Sequence, residues 1–193
     1  MKLILASKSP RRIELLKQIH PEFSVEPAKG EEIVPAGATP AETVMALAKA
    51  KAEEIAAFHP DDLVIGSDTI VAVDNQILGK PKSHEHCVEM IRSLSGRRHQ
   101  VYTGVALALE GKTECFYDVT EVEFYPLSEE EIQWYASLEE PYDKAGGYGI
   151  QGKGALLVQE IRGDYYNVVG LPVSDLARTM AELGLLPEER SAE

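Results

Sequence analysis

Leu63-Val64-Ile65-Gly66-Ser67-Asp68-Thr69-Ile70-Val71-Ala72-Val73 is the stretch on which the reading of the fold turns. Its first three residues form a short continuous apolar run, the pattern of a strand buried on both faces. That run ends at Gly66-Ser67-Asp68-Thr69, and a β pattern resumes over Ile70–Val73. Asp74-Asn75 then makes a turn, and Ile77-Leu78 pairs back as a hairpin. Strands and helices alternate imperfectly around this hairpin, which favours a mixed-sheet α/β or α+β domain over a pure doubly wound one.

Towards the N-terminus, Leu3–Ala6 reads as a buried strand that runs into the loop Ser7-Lys8-Ser9-Pro10. Pro10 suits the first position of a helix extending to about Ile19, with Ile13, Leu15 and Leu16 on its apolar face. Phe23–Val25 is a second strand, followed by a Pro/Gly-rich loop that contains Glu31 and Glu32. Thr39-Pro40-Ala41-Glu42 satisfies the capping-box pattern and opens an Ala-rich helix to about Ala57.

Towards the C-terminus, Ser83 caps a helix that ends near Ser95-Gly96. Two long β-prone stretches follow, His99–Leu109 and Thr113–Phe124, joined at Glu110-Gly111-Lys112. Ser128-Glu129-Glu130-Glu131 is a second capping box, opening a helix through Trp134. A glycine-dense loop spans Asp143–Gly154, a strand is expected at Leu156–Ile161, and Pro172 starts a final helix that stops at Gly184. Residues 186–193 are expected to form a flexible tail.

The chain has 193 residues, 44% of them hydrophobic and 26% charged, which is ordinary globular composition. Subtracting 32 Asp and Glu from 19 Lys and Arg leaves −13, so nucleic-acid backbones and anionic membranes should repel it. Cys87 and Cys115 form no CxxC and read as reduced, structural thiols. The N-terminal apolar stretch is too short for a signal peptide, and no run approaches the length of a membrane span. A cytoplasmic single-domain protein is expected.

Two tempting motifs fail on context. Gly147-Tyr148-Gly149-Ile150-Gln151-Gly152 matches GxGxxG, and Gly147 to Lys153 nearly matches the Walker A spacing. Both need a strand before and a helix after, whereas here a loop precedes and a strand follows. His84-Glu85-His86-Cys87 resembles a metal cluster, but consecutive residues on a helix point to different faces.

Two other features point to chemistry. Ser7, Ser9, Arg11 and Arg12 lie where a strand hands over to a helix start, and paired arginines can grip phosphate oxygens there. The alternative is a solvated basic turn. In so acidic a chain, two adjacent arginines favour a local site for negative charge. Asp68 directly follows the apolar run and is expected at the C-terminal lip of a buried strand, where active sites of open α/β sheets gather. A carboxylate there can hold a divalent cation together with Glu31 or Glu32 and a phosphate chain. The alternative is an Asx turn entering the hairpin.

Taken together, these segments resemble the Maf family of nucleoside triphosphate pyrophosphatases. The resemblance runs through Leu5-Ala6-Ser7-Lys8-Ser9-Pro10-Arg11-Arg12, Glu31-Glu32, Ala48-Lys49-Ala50-Lys51-Ala52, Gly66-Ser67-Asp68-Thr69, Gly79-Lys80-Pro81, Leu94-Ser95-Gly96, Asp143-Lys144-Ala145-Gly146, Tyr148-Gly149-Ile150-Gln151-Gly152 and Val169-Gly170-Leu171-Pro172. It implies a mixed α/β fold of the Maf/Ham1 kind over residues 1–193, a bent mixed sheet flanked by helices with two lobes around a deep cleft. It also implies hydrolysis of a nucleoside triphosphate to monophosphate and pyrophosphate with a divalent cation, Mg2+, Mn2+ or Co2+. Asp68 falls on the catalytic carboxylate, and Glu32 is the second metal ligand expected beside it. Arg11, Thr69 and Gln151 fall on positions tied to substrate choice, and Ser7, Arg12, Glu32, Lys51 and Lys80 on the polar substrate-binding cleft. Asp68-Thr69 with Gln151 resembles the branch that prefers dTTP and UTP, and a homodimer is a further expectation from the resemblance. Ser67 and Gly147 stand where alanine is usual. The competing function is a nucleotide-binding regulator of septum formation for which hydrolysis is secondary.

Overall fold

The computed structural model describes residues 1–186; all but the first residue of the tail expected at 186–193 lies outside the described residues. A seven-stranded mixed sheet runs in the order β2-β1-β3-β5-β6-β7, with β4 paired to β3. The strands are β1 (Leu3–Leu5), β2 (Ser24–Val25), β3 (Leu63–Val73), β4 (Gln76–Leu78), β5 (Arg98–Leu109), β6 (Lys112–Phe124) and β7 (Val158–Arg162). The helices are α1 (Pro10–Leu16), α2 (Pro40–Ala56), α3 (His84–Leu94), α4 (Glu129–Ala136), α5 (Tyr165–Val169) and α6 (Val173–Glu182). β1 is parallel to both β2 and β3, while β4 is antiparallel to β3 and β7 antiparallel to β6. The sheet is therefore mixed, as the hairpin required.

The chain divides into two compact units. The first comprises Met1–Asp68, Thr103–Asp118 and the segment from Gly170 onward; the second comprises Thr69–Tyr102 and Val119–Val169. In the first unit, Ile4 of β1, Ala6 just after it and Val64 of β3 pack with Ala48, Ala52 and Ile55 of α2 and with Ala106 and Ala108 of β5. Small residues dominate because the backbones approach closely. A Cβ built at Gly66 would overlap the carbonyl oxygen of Ala48 and lie 2.7 Å from the Ala52 nitrogen. At Gly104 it would overlap the Val44 carbonyl. Helix α2 thus rests against β3 and β5 through two positions that only glycine leaves open.

The second unit has a larger-grained core, with Val71, Val73, Val88, Ile91, Leu94, Phe124, Ile132, Tyr135 and Tyr148 among its buried residues. Both capping boxes form: Thr39 with Glu42 at α2, and Ser128 with Glu131 at α4. Each supplies two partners to amides at a helix start that would otherwise lack them. Asp74 and Asn75 adopt φ of 50° and 61°, the left-handed pair that a two-residue hairpin demands.

The structure corrects several expectations. β3 is one continuous strand from Leu63 to Val73, so Asp68 sits within a strand rather than at its lip. Gly66-Ser67-Asp68-Thr69 is turn-rich in composition, but Gly66 is spent on helix contact and the chain stays extended. β1 pairs with Leu63–Ile65 and β4 with Val71–Val73, so Asp68 lies between the two registers. α1 stops at Leu16, short of Ile19. Helix α5 was not expected, and the glycine-dense loop contains 3-10 turns at Glu140–Asp143, Ala145–Gly147 and Lys153–Leu157. Both cysteines are free thiols. Among the described residues, no helix is long and apolar enough to cross a membrane.

Candidate active site

Five of the expected residues meet in the first unit. Lys51, in the second half of α2, extends its ammonium to Asp68 Oδ1 at 2.6 Å and to Glu32 Oε1 at 2.8 Å. The Asp68 and Lys51 side chains are only 13% and 20% exposed, whereas Glu32 is 60% exposed. The inner ion pair is therefore sheltered, and the outer carboxylate faces solvent.

Arg12 lies in the first turn of α1. Its Nε donates to the Gly170 carbonyl at 2.8 Å, and Nη1 donates to Ser7 Oγ at 3.3 Å. Ser7 Oγ also accepts from the Ser9 amide, and Ser9 in turn caps α1 by accepting from the Arg12 amide. One short loop thus sets both the helix start and the guanidinium. Burial lowers the Arg12 pKa; the Asp68 carboxylate opposes this, neighbouring Arg11 reinforces it, and Glu32 opposes it again. Arg12 accordingly lies within the field of both carboxylates.

Two residues without an expected role complete the first-unit cluster. Ser67, fully buried, donates to the same Gly170 carbonyl at 3.4 Å, so its hydroxyl braces the acceptor that holds Arg12. Glu54, one helical turn beyond Lys51, accepts from the amides of Lys29 and Gly30 at 2.8 and 2.9 Å. That fastens the loop that carries Glu31 and Glu32. These backbone hydrogen bonds, Lys29 first, hold the Glu54 carboxyl below its usual range.

Thr69 continues β3 directly from Asp68 and opens the second unit. Lys80 and Gln151 are exposed positions of that unit. Their loops are tied together, because the Gly146 amide donates to the Gly79 carbonyl at 3.1 Å. Gly147 adopts φ of 72°, which glycine accommodates without strain.

Asp68 and Glu32 bring two hard oxygen donors to within 2.8 Å of one cationic atom. Two carboxylates, with phosphate oxygens and water filling the remaining positions, form a common donor set for Mg2+. Among the described residues, no group of three or more His, Cys, Asp or Glu is gathered to hold a metal. His86 Nδ1 instead accepts from the Lys82 amide at 3.2 Å, and His84 is exposed.

The mixed α/β fold thus gathers a sheltered carboxylate with lysine and arginine charges in one cluster, an arrangement that can hold an anion beside a carboxylate. The chain belongs to the Maf family: the family described as Maf-like protein matches residues 2–183. A Bacillus cytotoxicus protein named dTTP/UTP pyrophosphatase is 53% identical over 181 residues, covering 94% of this chain and 95% of that one. A Bacillus velezensis protein of the same name is 50% identical over 184 residues, covering 95% and 97%. In fold, the chain is similar to a HAM1 protein from Coxiella burnetii, with a TM-score of 0.50 at 14% identity over 94% of this chain and 99% of that one.

Proposed function

We propose that this chain hydrolyses dTTP and UTP to the monophosphate and pyrophosphate, with water attacking the α-phosphorus. The observation that carries the reading is the sheltered Asp68 carboxylate, fixed 2.6 Å from the Lys51 ammonium within the field of Arg12. The pyrimidine triphosphates are supported by the names of relatives about half identical over nearly the whole chain.

Asp68 is the general base that takes a proton from the attacking water, and Lys51 orients it. Arg12, braced by Ser7 and the Gly170 carbonyl, brings its guanidinium charge to the phosphate oxygens, with Arg11, Lys51 and Lys80 adding positive charge. Thr69 and Gln151 read the base edge: an amide can donate to O2 or O4 of uracil or thymine and accept from N3–H. Cytosine lacks that N3–H and carries an exocyclic amine, so it binds less well. A divalent cation, Mg2+, Mn2+ or Co2+, fits the donors of Asp68 and Glu32 and supplies charge neutralisation and a more acidic water. The substrate class and the charge of −13 suit a cytoplasmic house-cleaning role without nucleic-acid or membrane partners.

Hydrolysis of dTTP in 18O-labelled water with Mg2+ tests the reaction. Label in dTMP and none in pyrophosphate is the expected result. Label in pyrophosphate would mean attack at the β-phosphorus, and return of intact nucleotide would favour a binding regulator.

A further inference from the structure

Glu140 has no part in the chemistry above, yet its carboxylate gathers the backbone on both sides of Gln151. Oε1 accepts from the Tyr135 hydroxyl at 2.9 Å and from the Gly154 amide at 3.0 Å, while Oε2 accepts from the Lys153 amide at 2.8 Å. The Tyr135 hydroxyl accepts in turn from the Gly149 amide at 3.2 Å. Gly149 is thus fastened through Tyr135, and Lys153 and Gly154 directly. The support is itself rigid: Tyr135 is fully buried, and the Lys144 ammonium donates to Glu140's own carbonyl at 2.7 Å. At Gly152, next to Gln151, a Cβ would overlap the Glu140 carboxylate, lying 2.6 Å from its Cδ. The carboxylate fills the space where a side chain would stand. The result is an exposed Gln151 on a short turn, with the Gly149 amide before it and the Lys153 and Gly154 amides after it all leading to one carboxylate.

We propose that Glu140, acting with Tyr135, is a positioning residue that sets the Gln151 amide and thereby the nucleobase preference. The proposal rests on the reading of Gln151 as a base-recognition residue. A carboxylate suits this place because all three groups that meet it are donors. A glutamine at the same position has one acceptor oxygen and turns an NH2 towards an N–H, so at least one fastening is lost.

The test measures kcat and KM for dTTP and dCTP in the wild-type chain, Glu140→Gln, Gln151→Ala and the double variant, with thermal unfolding of each. Glu140→Gln should lower the dTTP:dCTP ratio of kcat/KM by about tenfold, the worth of one specificity hydrogen bond, mainly through KM for dTTP. In the Gln151→Ala background the same substitution should change the ratio by less than about twofold, because the two residues act as one unit. Tyr135→Phe should shift the ratio in the same direction and serves if Glu140→Gln fails to fold. An unchanged ratio in a folded Glu140→Gln, or an equal drop in both backgrounds, would overturn the role of Glu140. An unchanged ratio in Gln151→Ala would overturn the reading of Gln151 itself, and the positioning role with it.

Discussion

The Lys51 ammonium lies 2.6 Å from Asp68 Oδ1, joining the second half of α2 to the middle of β3. Both groups are largely sheltered, so each depends on the other to offset the loss of water. Lys51→Met should lower the free energy of unfolding by about 1–3 kcal/mol, less than a fully buried pair because the Arg12 charge and solvent compensate Asp68 in part. Combining it with Asp68→Asn should cost less than the sum of the two single changes, since both remove the charge attraction of the same pair. Urea titrations of the three variants measure this, and strict additivity would show that the pair contributes nothing.

Gly66 allows α2 to lie against β3 two residues before Asp68. Gly66→Ala should destabilise the chain by about 1–3 kcal/mol or more, because backbone rather than a yielding side chain stands in the way. Pyrophosphate release should fall with it, as Lys51 and Asp68 are displaced relative to one another. A variant with normal thermal unfolding and normal turnover would contradict the close helix contact.

His99 is fully buried, with its Nε2 2.6 Å from the Tyr148 hydroxyl and its ring edge-on to Phe124. Burial pushes its pKa down from 6.5 to about 4. Between those values the unfolded chain binds a proton that the folded chain does not, so stability is complete above pH 6.5 and falls as the pH drops towards 4. The loss should reach about 3 kcal/mol across this window. Unfolding free energies of the wild-type chain and His99→Gln from pH 7 to pH 4 provide the check, the variant losing this contribution to the slope.

Local chemistry made much of the fold legible. The two capping boxes, Pro10 at a helix start and the Asp74-Asn75 turn each depend on residues adjacent in sequence, and each forms as read. The continuity of β3 was not legible, because Gly66, Ser67 and Asp68 are turn-formers whose roles here are tertiary: helix contact, a bond to Gly170 and an ion pair with Lys51. Helix α5 is only five residues long, too short for apolar periodicity. Its one signal was Asp164, which accepts from the amides of Tyr166 and Asn167. In the site, Ser7, Arg12, Glu32, Lys51 and Asp68 carried motifs and were found together. Glu54 and Glu140 carried none, since each acts on backbone amides that the fold alone brings to it.

Single-turnover pyrophosphate release from dTTP by Asp68→Asn tests the central claim most directly. The asparagine keeps the shape of the side chain and an acceptor for Lys51 but is a far weaker base, so the chain should remain folded and bind dTTP. Its rate should fall by about a hundredfold or more, the usual worth of a general base. Release at close to the wild-type rate would remove Asp68 from the reaction.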